Sequence, residues 1–94
     1  MSEITIRLHY RRQDGAIEDA QHDFTLAEFA GALPSIGDDI LYPGVLSGVL
    51  RDELHSRRLL RVVGRVFNPK DLQDYVALIV EERTPIEAER SLIP

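Results

Sequence analysis

Ile4, Ile6, Leu8 and Tyr10 occupy every second position near the start of the chain, and Glu3, Thr5, Arg7, His9 and Arg11 fill the places between. Side chains of an extended strand point alternately to the two faces of a sheet, so this period of two predicts a half-buried strand over 3–12. The pattern returns twice. Over 58–67, Leu60, Val62 and Val66 share one parity and Arg61, Val63, Arg65 and Phe67 the other. Over 75–83, Val76, Leu78 and Val80 form the apolar row. Three such segments in 94 residues predict one mainly β domain over 1–83, with 84–94 a C-terminal tail that has little to bury. The chain has no Cys. Its core therefore holds without disulfides, and a domain of this size buries only about 60–65% of its unfolded surface.

The segments between follow from turn and capping chemistry. Gln13-Asp14-Gly15 predicts a turn into an edge strand over 17–24, which forms a hairpin with the first strand. One register sets Ile6 against Phe24, Tyr10 against Ala20, and three Arg residues against acids: Arg7 with Asp23, Arg11 with Asp19, Arg12 with Glu18. Thr25-Leu26-Ala27-Glu28 matches a capping box and predicts a helix of about two turns over 25–31, ended before Pro34. Ile36-Gly37-Asp38-Asp39 reads as a turn into a short strand, Ile40-Leu41-Tyr42, which Pro43-Gly44 ends. Val45, Leu46, Val49, Leu50 and Leu54 fit an amphipathic helix over 45–56, weakened by Ser47-Gly48. Asn68-Pro69-Lys70-Asp71 supplies the last turn, and Thr84-Pro85-Ile86-Glu87 can start one more helical turn.

If the two C-terminal strands pair without irregularity, Val62 faces Val80 and Val66 faces Val76 on the core side. On the reverse side Arg61 then faces Glu81, Val63 faces Ile79, Arg65 faces Ala77 and Phe67 faces Tyr75. Arg61, Val63, Arg65, Phe67, Tyr75 and Ile79 thus form the candidate interaction surface. An apolar cluster of that kind is seldom left in water. It calls for internal cover by 45–56 or for a homodimer, the commonest oligomer.

Composition narrows the function classes. Net charge is −5, from 16 acidic and 11 basic residues. That balance opposes non-specific attraction to nucleic acid or anionic lipid. No apolar run reaches the roughly 20 residues of a membrane span, and the N-terminus lacks a basic region followed by an apolar one, so the expected location is the cytoplasm. His9, His22 and His55 share no ligand spacing, which gives no reason to expect a metal. Ser47 and Ser35 lie in no nucleophile motif, and Gly44, Gly48 and Gly64 in no phosphate loop. No catalytic or cofactor-binding residue is identified. The strongest charge feature is Arg57-Arg58 with Arg61 and Arg65. Arg57, Arg61 and Arg65 share a parity, so a nucleic-acid face is the alternative reading, against pairing with Glu81 and Glu82 on the next strand.

The run Leu33-Pro34-Ser35-Ile36-Gly37-Asp38-Asp39-Ile40 resembles L-P-x-[IV]-G-D-x-[IV], a pattern of small bacterial β proteins of unknown function. Val62-Val63-Gly64-Arg65-Val66 and Val76-Ala77-Leu78-Ile79-Val80-Glu81 are similar to the strands that follow it there, and the likeness runs over 33–82. The resemblance implies a small, strongly bent antiparallel sheet or an SH3-like barrel with one or two short helices; it implies no activity. Gly37-Asp38 itself reads as structural, with Gly allowing a positive φ and Asp accepting backbone N–H groups. The expected function is a non-enzymatic protein-interaction or accessory module that binds another protein or itself.

Overall fold

Among the described residues, five strands hydrogen-bond into a single sheet in the order β2-β1-β5-β4-β3. The computed structural model describes residues 3–41 and 58–92. The strands are β1 (Thr5–Arg11), β2 (Ile17–Thr25), β3 (Asp39–Leu41), β4 (Leu59–Asn68) and β5 (Leu72–Arg83). The fold is mainly β, a curled mixed sheet forming a half-barrel. All neighbouring strands run antiparallel except β1 and β5, which are parallel from Thr5↔Tyr75 to Tyr10↔Val80. The last strand in sequence is therefore the middle strand in space.

The alternating rows meet as their periodicity requires. Ile6 and Leu8 of β1, Leu60 and Val62 of β4, and Val76, Leu78 and Val80 of β5 are buried on one face. Phe24, Leu26, Phe29, Leu33 and Ile40 pack against this cluster from the margins. Full burial of one such side chain contributes about 1.5–3 kcal/mol, which makes these seven a major source of stabilisation among the described residues.

The hairpin keeps Ile6↔Phe24 and Arg7↔Asp23, then changes register to His9↔Asp19, Tyr10↔Glu18 and Arg11↔Ile17. Ala20, Gln21 and His22 together lie opposite Leu8, with Gln21 at φ 60°. The expected Tyr10–Ala20 and Arg11–Asp19 facings are thus replaced. The offset is even, so the two faces of β2 are not exchanged, and its effect falls on the charges. Arg7 reaches both Asp19 (Nη2–Oδ2 2.7 Å) and Asp23 (3.1 Å), and Arg11 turns to Glu81 (3.1 Å). Arg12 keeps Glu18.

The expected two-turn helix is a single 3-10 turn, Leu26–Phe29. Glu28 answers Thr25 as the capping box requires, accepting the Thr25 backbone N–H at 2.9 Å. Ala30 at φ 58° and Gly31 at φ 79° both take left-handed conformations, and two such residues in a row end the turn four residues before Pro34 could.

The turn at 36–38 is built into β4. Asp38 Oδ2 accepts the Ser35 N–H at 2.7 Å, and Gly37 sits at φ 98°. The Gly37 N–H then donates to the Val62 carbonyl and the Val62 N–H to the Asp38 carbonyl, each at 2.8 Å. Beyond β3, Tyr42, Pro43-Gly44 and the helix expected over 45–56 lie outside the described residues.

The C-terminal segment is tied down rather than loose. It folds as a 3-10 helix, Glu87–Leu92, after a buried Pro85. Arg83 at the end of β5 pairs with Glu89 and with Asp39 of β3 (2.9 Å), while Glu89 also accepts the Ile86 N–H at 2.9 Å.

Candidate interaction surface

β4 and β5 make the longest ladder of the sheet, and it has two irregularities: one between Val62 and Gly64, the other between Phe67 and Asn68, where the partner passes from Val76 to Leu72. Arg61↔Glu81 and Val62↔Val80 pair as the alternation requires; Gly64, not Val63, then faces Ile79. The extra residue is a β-bulge, which inverts the parity of β4 beyond it. Arg65 consequently faces Leu78, Val66 faces Ala77 and Phe67 faces Val76. Gly64 suits the bulge because a Cβ there would meet Ile79 Cδ1 at 3.3 Å. The branched Ile79 side chain occupies the space the glycine leaves.

The six residues of the expected surface therefore do not share a face. Partnered residues on antiparallel strands lie on the same side of the sheet, so Arg61, Tyr75 and Ile79 stay opposite the core. Arg65 and Phe67 pass to the core side with Leu78 and Val76, and Val66 leaves it. Val63, Tyr75 and Ile79 are half-buried, whereas Arg61, Arg65 and Phe67 are exposed.

What the structure gathers instead is the outer end of the β4–β5 hairpin. β1 flanks β5 as far as Tyr75, next to the Val76 that faces Phe67, so only Asn68–Asp74 reach past it. Among the described residues no strand lies beside Arg65–Asn68 on the side away from β5, and residues 65–74 form an arm with one free edge. Val66 and Phe67 are each 54% exposed and Leu72 is 47% exposed. The Arg65 guanidinium lies over the Phe67 ring, 5.6 Å from its centroid. Asn68 Oδ1 accepts the Asp71 N–H at 3.2 Å and closes the turn at the tip. No family model matches the chain, and no curated protein or solved structure gives a match. The arm has to be read from its own chemistry.

Arginine over an aromatic ring, beside two exposed aliphatic side chains, is the composition that protein contacts favour. Alternation without a bulge puts Val66 in the core, and Leu72 falls between the expected turn at 68–71 and the expected strand at 75–83, whereas β5 begins at Leu72. A glycine inside a strand pattern was the available signal for the bulge.

The arginines of the alternative nucleic-acid face are dispersed. Arg58 pairs with Glu82 (3.2 Å) and Arg61 with Asp39 (3.4 Å), Arg65 lies on the other side of the sheet, and Arg57 is outside the described residues. Across four strands, opposite charges alternate: Arg11 contacts Glu81, Glu81 is the register partner of Arg61, and Arg61 contacts Asp39. Such a row presents little net field to a phosphate backbone.

Carboxylates elsewhere are engaged internally. Asp19 is held at about 2 by the Arg7 guanidinium and then by the Gln21 N–H. Glu89 is held at about 2 by Arg83 and then by the Ile86 N–H. Asp39 is lowered by Arg83 and, less, by Arg61. A cleft between the 3-10 turn and β3, walled by Phe24, Phe29, Leu33 and Ile40, has Glu28 and Asp38 at its rim. Both rim carboxylates already accept backbone N–H groups. His9 lies beside Asp19 in register, and His22 stacks near Phe24, 6.2 Å between ring centroids; His55 is outside the described residues. Among the described residues, no three His, Asp or Glu side chains are grouped as metal ligands. Among them too, no helix is long and apolar enough to cross a membrane.

Proposed function

We propose that this chain is a non-enzymatic protein-interaction module of the cytoplasm whose contact surface is the β4–β5 arm. The observation that carries the reading is the exposure of Val66, Phe67 and Leu72 at the outer end of the β4–β5 hairpin, where β4 has no other neighbouring strand among the described residues. Val66, Phe67 and Leu72 lie outside the central core cluster, and the free β4 edge beside them is accessible to a partner. Arg65 adds a cation whose planar group can stack or pair, which favours a protein surface over a lipid one.

Site-specific photo-crosslinking in the cells that make the protein tests this. A benzophenone amino acid replacing Phe67 should give a discrete covalent adduct with a protein. The same group replacing Ile17, equally exposed on β2, should give none. Absence of any adduct at position 67, with the protein folded and abundant, overturns the reading.

A further inference from the structure

The two margins of the sheet are not alike. β2 is bulged at Ala20–His22, carries Glu18, Asp19 and Asp23, and would set like charges against themselves if two copies met there. Bulges and charges of this kind are how edge strands avoid pairing. Among the described residues, the other margin has no such protection beyond Val62. β3 covers β4 only from Leu59 to Arg61, and the Gly37–Asp38 turn takes both backbone groups of Val62. Among the described residues, no strand lies beside Arg65–Asn68 on that side, and all four are exposed.

The hydrogen-bonding direction of this edge follows from Val62. Its N–H and C=O point away from β5. In an antiparallel ladder the direction alternates, and the bulge at Val63–Gly64 shifts the alternation by one. Arg65 and Phe67 therefore aim their N–H and C=O groups outward, while Val66 aims its own at Ala77 of β5.

We propose that a second copy of this chain pairs with the open edge of β4, antiparallel, about a two-fold axis at Val66. This rests on the reading of the arm as the contact surface and names its partner. Three centres are available on so short an edge. An axis at Arg65 sets two guanidinium groups directly opposite, which is unfavourable. An axis at Phe67 sets Arg65 against Pro69, which has no N–H to give and belongs to the turn. An axis at Val66 sets Arg65 against the partner copy's Phe67 in both directions. It joins both outward-facing residues of each chain in hydrogen-bonded pairs, and repeats between chains the arginine-on-aromatic contact that each chain already makes at 5.6 Å. The two Val66 side chains then meet at the close, non-hydrogen-bonded position, and the two sheets become one.

Analytical ultracentrifugation across the micromolar range should show wild type at twice the chain mass. Val66→Lys, which opposes two ammonium groups at the axis, should halve that mass with an unchanged circular dichroism spectrum. Phe67→Pro should do the same by removing an N–H that the monomer does not use. The chain has no Cys, so Val66→Cys introduces a unique thiol; mild oxidation should link it into a disulfide dimer, and Ile17→Cys should stay monomeric. A wild type that is monomeric throughout overturns the proposal, as does a dimer that persists in folded Val66→Lys. An adduct at position 67 with a different protein, beside a monomeric wild type, would overturn self-pairing while leaving the arm as a contact surface.

Discussion

Gly37 and Gly64 each do something a side chain would prevent. Gly37 holds φ at 98° so that its N–H and the Asp38 carbonyl both reach Val62. Alanine there carries the strain of a left-handed residue, about 1–3 kcal/mol. Chemical denaturation of Gly37→Ala should show a loss of that size, with the midpoint falling and the slope unchanged. Gly64 is limited by space, not by backbone angle, because Ile79 lies over it at 3.3 Å from where a Cβ would stand. Gly64→Val should cost about 1–3 kcal/mol through overcrowding. Much of that loss should be recovered in Gly64→Val with Ile79→Ala, a coupling that independent sites do not show. The Gly37-Asp38 role was legible in the sequence, since a Gly-Asp pair ahead of an apolar residue has a local mechanism. Gly64 signalled an irregularity but not which neighbour it accommodated.

At the scale of elements, ion pairs tie strands that hydrophobic packing leaves unspecified. Arg83 joins β5 to β3 through Asp39 and to the C-terminal 3-10 helix through Glu89. Arg83→Gln should loosen that helix, and faster amide exchange at Glu89, whose N–H donates to the Ile86 carbonyl, would register it. The core should keep its protection. The pH dependence has a definite sign. Asp19 and Glu89 titrate lower in the fold than their ordinary values of 3.8 and 4.5, each at about 2. Their stabilisation is therefore complete above those ordinary values and is lost as pH falls towards about 2. Melting temperature should decline through that window, and the decline should be shallower in Asp19→Asn with Glu89→Gln. The alternation exposed β1, β4 and β5 and, apart from Val66, their core rows, because period two is a local property of the chain. It could not expose the bulges, which depend on what stands opposite. Each bulge cost a specific inference: Arg11 lost Asp19 for Glu81, and Phe67 moved to the other face. The ties to the C-terminal segment were invisible for a related reason, since Arg83 and Asp39 are far apart in sequence and only the sheet brings them together.

For the whole molecule, charge and topology set the expectations. An acidic chain whose Arg7, Arg11, Arg12, Arg58, Arg61 and Arg83 are all paired with carboxylates should leave a heparin column at low salt. Retention to high salt would restore the nucleic-acid reading. The parallel neighbours β1 and β5 come from opposite ends of the described chain, and a chain stopped after residue 71 lacks the strand that both halves of the sheet rest on. Its circular dichroism should show no cooperative thermal transition. The central place of β5 also has a meaning in time. During synthesis β1 and β2 can form their hairpin early, and β4 follows with its apolar row exposed, but neither has a companion across the gap until β5 emerges. The nascent polypeptide thus passes through an interval in which two unfinished sheet margins, and not just the arm, are open to strangers. How often the chain completes itself before another does so for it depends on how quickly β5 docks between β1 and β4 once all three are free to fold.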